Sequence, residues 1–175
     1  MIFFDGRGAP GLRGFLGREL AAASAASFAI RRIRLARLDL LPEELRGVSH
    51  CRVLLGRLDA DTLADTGASP TSARTATLLD MAASGRLEVR SAGLLAWEPD
   101  FSLIGSGRES DVLIFGCHQF VPQQPVEGLA MACAIRDPSV VRAAAVRFDE
   151  LWERGHDALE AVTDALCRSR SIADA

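Results

Sequence analysis

Hydrophobic positions in the first third of the chain switch between helical and strand spacing. Apolar residues recur every three or four positions over residues 11–26, which predicts an amphipathic helix. The short apolar run at residues 28–33 predicts a strand, and residues 35–45, where Pro42 precedes two glutamates, predict short helical segments. A compact apolar run between polar flanks at residues 51–56 then predicts a buried strand of an α/β sheet.

The middle of the chain predicts a helix, a strand and a β-hairpin. Ser-Pro at residues 69–70 suits the N-cap and first position of a helix that Gly85 ends, and a strand follows at residues 87–90. Residues 101–104 and 112–115 have strand patterns and are joined by a polar, glycine-containing loop, which predicts a hairpin.

The last third predicts a strand, a long helix and a weaker helix. Residues 129–135 have the strand pattern, and Asp137 with Pro138 provides an N-cap and a first helical residue. The long helix is expected to bury one stripe of side chains against the sheet: Val141, Ala145, Phe148 and Trp152. Residues 157–167 are weakly amphipathic and predict a final helix.

The whole pattern predicts an α/β fold with a central mixed β-sheet flanked by helices. We expect one domain over residues 1–167 and a flexible tail at residues 168–175. With 175 residues and 49% hydrophobic content, the chain is long enough to bury one core. A formal net charge of -3 and a sequence pI of about 5.6 create no global positive field, so nucleic acid is not the expected partner.

Composition also removes several kinds of chemistry. All 20 basic residues are arginine, and the chain contains no lysine, asparagine or tyrosine. No Schiff-base lysine, P-loop lysine or asparagine amide is therefore available to any mechanism.

Cysteine usage and hydropathy predict the compartment. The four cysteines form no C-x-x-C pair and lie mostly in apolar runs, which predicts buried, reduced thiols at Cys51, Cys117, Cys133 and Cys167. The first residues do not form a signal peptide, and no run approaches about 20 apolar residues. We expect a soluble, cytoplasmic protein without a transmembrane segment, which could still dock peripherally on a membrane assembly.

Two groups of residues resemble a known superfamily. Residues 28–33, Leu38, Leu45 and residues 51–56 resemble the opening strand, helix and V-x-L-L-G strand of the phospholipase D superfamily. Residues 135–154 resemble its D-P, helix and F-x-x-L-W ending, and the order of predicted elements is similar to one lobe of that superfamily. The resemblance implies a phospholipase D-like fold. Active members build one site from two lobes, within a chain or across a dimer. A lone lobe is therefore still expected to associate with a second lobe.

The same resemblance places the catalytic motifs of the superfamily on this chain. Members carry H-x-K-x-x-x-x-D on the first hairpin strand, with a nucleophilic histidine, and G-S-x-N at the end of the second, where lysine and asparagine hold phosphate oxygens. The corresponding positions here are Glu98, Asp100, Gly105, Cys117 and Gln119. Two carboxylates would repel a phosphodiester, and without lysine or asparagine no register supplies the motif. The resemblance therefore implies a domain that has lost its catalytic groups.

Some of these residues also suit other chemistry. Glu98 and Asp100 could form an acid/base pair or a hard-cation site, although a solvated strand entry is favoured. His118 could act as a relocated nucleophile or join His50 and Cys51 around a metal, but zinc-type spacing is absent and a core or rim histidine is favoured. We expect no cofactor and no metal.

Two candidate interaction surfaces stand out. The dense basic cluster Arg31, Arg32, Arg34 and Arg37 could bind a phosphate, an acidic partner or lipid headgroups, or form a solvated patch. Trp97 and the proline-punctuated loop that begins at Phe120 could anchor a partner or plug the vacant pocket.

Three hypotheses follow. The first is a non-catalytic accessory or scaffold subunit that binds other protein chains, as a homodimer or in a larger complex. The second is a phosphate-ligand or nucleic-acid binding module that uses arginine in place of lysine. The third, an atypical phosphodiesterase that uses His118, Glu98 and Asp100, ranks below both.

Overall fold

A computed structural model describes residues 1–5, 9–30, 42–56, 72–93, 100–106, 111–116 and 131–173. Eight strands of these residues form a single sheet in the order β1-β7-β6-β5-β2-β3-β4-β8. The strands are β1 Ile2–Asp5, β2 Ala25–Ile30, β3 His50–Leu55, β4 Leu87–Ser91, β5 Phe101–Gly105, β6 Val112–Gly116, β7 Met131–Ile135 and β8 His156–Asp157.

Helices lie on both faces of this sheet. They are α1 Ala9–Ala22, α2 Pro42–Leu45, α3 Ser72–Ala83, α4 Pro138–Arg154 and α5 Leu159–Ala173. No helix of the described ranges is long and apolar enough to cross a membrane.

The sheet joins a parallel half to an antiparallel half at β2. This strand pairs in parallel with β3, which pairs in parallel with β4, whereas its other edge pairs antiparallel with β5. The predicted hairpin is present, with Phe101 opposite Phe115, and β7 and β1 continue the antiparallel half. The mixed sheet flanked by helices confirms the predicted α/β fold class.

Alternation along the strands divides the core between the two sheet faces. On one face, Phe28, Val53 and Val89 pack in the core beneath α1, α3 and α5. On the opposite face, Leu54, Phe101 and their neighbours pack against α4. The buried stripe predicted for this helix is confirmed for Val141, Phe148 and Trp152, while Ala145 is partly buried.

Several boundaries differ from the sequence-based expectations. The first helix ends at Ala22, not at residue 26, because residues 25–30 belong to β2 in the centre of the sheet. The final helix continues past Cys167 to Ala173. The edge strands β1 and β8 were not predicted, because their short sequences show no alternation and their pairing partners are distant in the chain.

The predicted N-cap of α4 gives a pH-dependent contribution to stability. The Asp137 carboxylate accepts hydrogen bonds from the Ser139 hydroxyl and from the backbone N–H groups of Ser139 and Val140, and these bonds lower the pKa of Asp137. Since the folded pKa lies below the unfolded one, this stabilisation is present at neutral pH and is lost as the pH falls below about 3.8.

We expect Asp137→Asn to lower the melting temperature at pH 7, because asparagine can cap the helix but lacks the charge that favours its N-terminus. Thermal unfolding between pH 7 and pH 3 should show the two melting temperatures converging at acidic pH. A difference that stays constant with pH would contradict this assignment of the carboxylate.

Candidate functional site

The residues that the resemblance aligns with the superfamily motifs, as far as the structure describes them, begin at one edge of the sheet. The parallel strands β2, β3 and β4 end there, β6 also ends there, and β5 begins there. Asp100 immediately precedes β5, and its carbonyl oxygen accepts a hydrogen bond of 3.1 Å from the Gly116 N–H at the end of β6. The structure therefore brings Asp100 of the first motif segment next to Gly116, where the second segment starts, and we call this end of the sheet the site edge.

Gly116 has a backbone conformation that favours glycine. Its φ angle is 127°, in the region that residues with a Cβ rarely adopt, and it is the last residue of β6. Gly116 is also the last described residue before Cys117 in the sequence.

Gly105 does not lie at the site edge. It is buried at the other end of β5, opposite Ala25, and its carbonyl oxygen accepts a 3.0 Å hydrogen bond from the Ser24 N–H. It lies five positions along the chain from Asp100, which corresponds to roughly 17 Å at the usual rise of an antiparallel strand. The site edge thus gathers the Asp100 and Gly116 positions without the third motif position.

The remaining candidates lie outside the described residues. They are Arg31, Arg32, Arg34, Arg37, Trp97, Glu98, Cys117, His118, Gln119 and Phe120. The start of the arginine cluster nevertheless has a described point of attachment. The carbonyl oxygen of Ile30, the last residue of β2, accepts a 2.9 Å hydrogen bond from the Gly56 N–H. The arginine cluster therefore follows directly, in sequence, a residue that lies at the site edge.

The hypothesis of a metal between His50, Cys51 and His118 finds no support in the described part of the structure. His50 is the first residue of β3, at the end opposite the site edge, and its Nε2 lies 3.5 Å from Glu88 Oε1. Cys51 lies in the core beneath α1, α3 and α5. Within the described ranges, no group of three His, Cys, Asp or Glu side chains could hold a metal ion.

The expectation of buried thiols holds for Cys51 but not for every cysteine. Burial raises the pKa of the Cys51 thiol to about 12, because the low-dielectric core disfavours the thiolate. Cys133 is partly buried, and Cys167 is exposed on α5. The prediction was wrong for Cys167 because this residue, in the middle of α5, points away from the core and lies outside the buried stripe of Val162 and Leu166.

Thiol labelling should separate these cysteines. We expect iodoacetamide at pH 8 to modify Cys167 in the folded protein, while Cys51 stays unmodified until the protein unfolds, since the thiolate is the reactive form. Peptide mapping by mass spectrometry measures each site, and labelling in guanidinium chloride is the control. Modification of both residues at equal rates in the folded protein would contradict the burial of Cys51.

Two arginines on the face that α4 covers were missed by the sequence analysis. The Arg52 guanidinium lies 4.8 Å from the Phe148 ring centre and 2.9 Å from Asp149 Oδ1, and its Nε donates to Ser27 Oγ. The Arg90 guanidinium lies 4.9 Å from the Trp152 ring and donates a 2.9 Å hydrogen bond to the Trp152 carbonyl oxygen. These contacts fix the second half of α4 on β3 and β4. The only sequence signal was an arginine inside each apolar strand.

The order of strands, the hairpin and the long helix that follows β7 define the class of structure: the chain has a phospholipase D-like fold. No family model matches the sequence, and no curated protein matches it.

Solved structures show the likeness. NucT from Helicobacter pylori has a TM-score of 0.58 at 10% identity, over 89% of this chain and 97% of NucT. Nuc from Salmonella typhimurium, a phospholipase D family member, has a TM-score of 0.51 at 14% identity, over 83% of this chain and 89% of Nuc. TrmBL2, an archaeal chromatin protein whose structure shows a mode of DNA binding, has a TM-score of 0.54 at 16% identity. That match covers 89% of this chain, which spans 54% of TrmBL2. What these proteins share with the chain is the fold.

Proposed function

We propose that this protein is a non-catalytic accessory subunit that binds other protein chains through a phospholipase D-like lobe. One observation carries the proposal: the sequence contains no lysine and no asparagine, the residues that hold phosphate oxygens in the superfamily motif. The phospholipase D-like fold and the convergence of β5 and β6 at the site edge support the alignment on which this argument depends.

Charge at the site edge also supports loss of catalysis. Asp100 occupies the aligned lysine position, and a carboxylate there would repel the phosphodiester that a lysine would attract. Charge stabilisation of the transition state is usually the largest single catalytic contribution, and removing one such donor typically costs about 100- to 1,000-fold in rate. The proposed role, binding of other protein chains, requires the fold and its surfaces but no catalytic group.

The direct test is hydrolysis of bis(p-nitrophenyl) phosphate and of single-stranded DNA, with a phospholipase D-like nuclease as positive control. We expect no turnover above buffer and no change for His118→Ala or Asp100→Ala. Turnover that disappears in either variant would overturn the proposal and establish an atypical phosphodiesterase.

A second test addresses the partner. Tagged protein purified from its native source should retain a defined set of chains at stoichiometric amounts, and Trp97→Ala with Phe120→Ala should release them. Val146→Ala, which truncates an exposed side chain on α4, is the matched control. Recovery of the tagged chain without a stoichiometric partner, and without self-association, would contradict the accessory role.

A phosphate-ligand or nucleic-acid binding module is the second candidate, and the placement of the arginine cluster favours it. Arg31 directly follows Ile30, so the cluster begins at the site edge, and TrmBL2 has a similar fold. Fluorescence anisotropy with labelled duplex DNA at 50 and 200 mM salt tests it. Binding that weakens steeply with salt and is reduced by Arg32→Ala and Arg34→Ala, but not by Arg147→Ala on α4, would favour this candidate over the first.

A further inference from the structure

The two outer strands of the sheet differ in how well they are protected from further pairing. Strand β8 has only two residues, His156 and Asp157, and both are exposed and polar. Strand β1 has four residues, Ile2–Asp5, and in the sheet of described residues β7 is its only neighbour. Proteins commonly protect outer strands by shortening them or by adding charge, and β1 has only Asp5 for this purpose.

The side chains of β1 are also unusually apolar for an outer strand. Phe4 packs on the Phe15 ring, with 5.3 Å between ring centres, so it belongs to the core beneath α1. Ile2 is 47% exposed and Phe3 is 67% exposed, and Met1 beside them is exposed as well. The strand is thus held in place by Phe4 and by pairing with β7. Its other edge, which we call the free edge, has no strand partner among the described residues and combines backbone hydrogen-bonding groups with apolar surface.

The pairing register continues this apolar surface across the sheet. Phe3 lies opposite Cys133 on β7, and Cys133 lies opposite Phe115 on β6, which is 42% exposed. Opposite residues of neighbouring strands point to the same face of the sheet. The three side chains therefore form one row that crosses from β6 through β7 to β1, the outer strand.

We propose that the free edge of β1 pairs antiparallel with β1 of a second copy of this chain, which joins the two sheets into one. This inference rests on the proposed function of binding protein chains and names a second copy as one such partner. In the proposed pairing, a two-fold axis perpendicular to the sheet passes between the two Phe3 residues. It keeps equivalent faces on the same side and places Phe3 of one copy opposite Phe3 of the other. The row of apolar side chains then becomes continuous between the copies.

Two arguments identify a second copy of the chain as the partner of β1: the self-complementarity of the strand edge and the surface area that the pairing would bury. An antiparallel strand edge offers donors and acceptors in a pattern that a two-fold copy of itself satisfies. Pairing two such edges, together with the exposed parts of Met1, Ile2 and Phe3 on each copy, buries on the order of 1,000 Å² in total, at the lower end of specific interfaces. Interfaces of this size are typical of weak, reversible association.

Analytical ultracentrifugation between about 1 and 200 µM should show a monomer–dimer equilibrium for the unmodified protein. Phe3→Lys should raise the dimer Kd by at least about tenfold, because the two introduced charges would face each other. Val146→Lys places the same charge at another exposed apolar position, on α4, and should leave the equilibrium unchanged. Circular dichroism melting of each variant verifies that it is folded.

A charge-swap experiment is specific for this geometry. Phe3→Lys and Phe3→Glu should each be monomeric alone and should form a mixed dimer when combined, because only pairing of position 3 with itself places opposite charges together. A monomer at every concentration, or a dimer that neither variant weakens, would overturn the edge pairing. Loss of the dimer in Phe115→Lys but not in Phe3→Lys would also overturn it, since it would move the contact to the face of β6. The phosphodiesterase assay and the recovery of a different stoichiometric chain do not depend on these outcomes, so the two proposals can fail separately.

Discussion

Replacing Phe148 with alanine is expected to lower the free energy of unfolding by about 3–5 kcal/mol. The Phe148 ring is fully buried in the centre of the α4 interface, where it meets Phe101 edge-on at 6.2 Å and stacks on Trp152 at 5.7 Å. Its removal leaves a cavity at the contact between the helix and the sheet. It also removes the aromatic surface above which the Arg52 guanidinium lies.

Chemical denaturation in urea, followed by circular dichroism, measures this change. Val146→Ala is the matched control, since Val146 lies on the same helix but is 55% exposed and should change stability by less than about 0.5 kcal/mol. Equal effects of the two substitutions would mean that α4 does not pack on the sheet through Phe148.

Gly155→Ala is expected to destabilise the protein by about 1–3 kcal/mol for a steric reason. Gly155 ends α4, and a Cβ at this position would lie 3.1 Å from Arg90 Cβ, 3.2 Å from Leu54 Cδ1 and 3.2 Å from the Trp152 carbonyl oxygen. Two of these three atoms are fixed by the backbone, so the chain itself would have to shift.

The matched control for this prediction is Gly47→Ala. A Cβ at Gly47 would meet no atom within 4 Å, so alanine there should be neutral or should stabilise by up to about 1 kcal/mol through the unfolded state. Comparing thermal and urea unfolding of Gly155→Ala and Gly47→Ala isolates the steric contribution of the added Cβ to the free energy of unfolding. If Gly155→Ala were as stable as Gly47→Ala, the close approach of α4 to β3 and β4 would be wrong.

The sequence predicted those strands and helices that are determined by residues close together in the chain. The apolar run of β3, the hairpin of β5 and β6, and the Asp137-Pro138 start of α4 all appear where the sequence indicates them. Each depends on side-chain periodicity or capping chemistry within a few residues. The resemblance added the order of elements, and with it the meeting of Asp100 and Gly116 at the site edge.

What could not be predicted depends on long-range packing. Nothing in Ile2–Asp5 indicates that it pairs with β7, and the arginines in β3 and β4 looked like polar interruptions of buried strands. Only the position of α4 above Arg52 and Arg90 converts them into partners of Phe148 and Trp152. Gly105, the position that the resemblance aligns with the aspartate, lies at the far end of β5 because successive residues of a strand run away from the edge at which it begins.

The pairing of β1 with β7 also constrains how this chain folds. Ile2 and Ala134 are roughly 130 residues apart in sequence, so their contact carries a large loop-closure entropy and raises the contact order. We expect β1 to join the sheet after the β5–β6–β7 meander has formed and to detach first when the protein opens locally. Amide hydrogen exchange should therefore be faster in β1 than in β2 or β3.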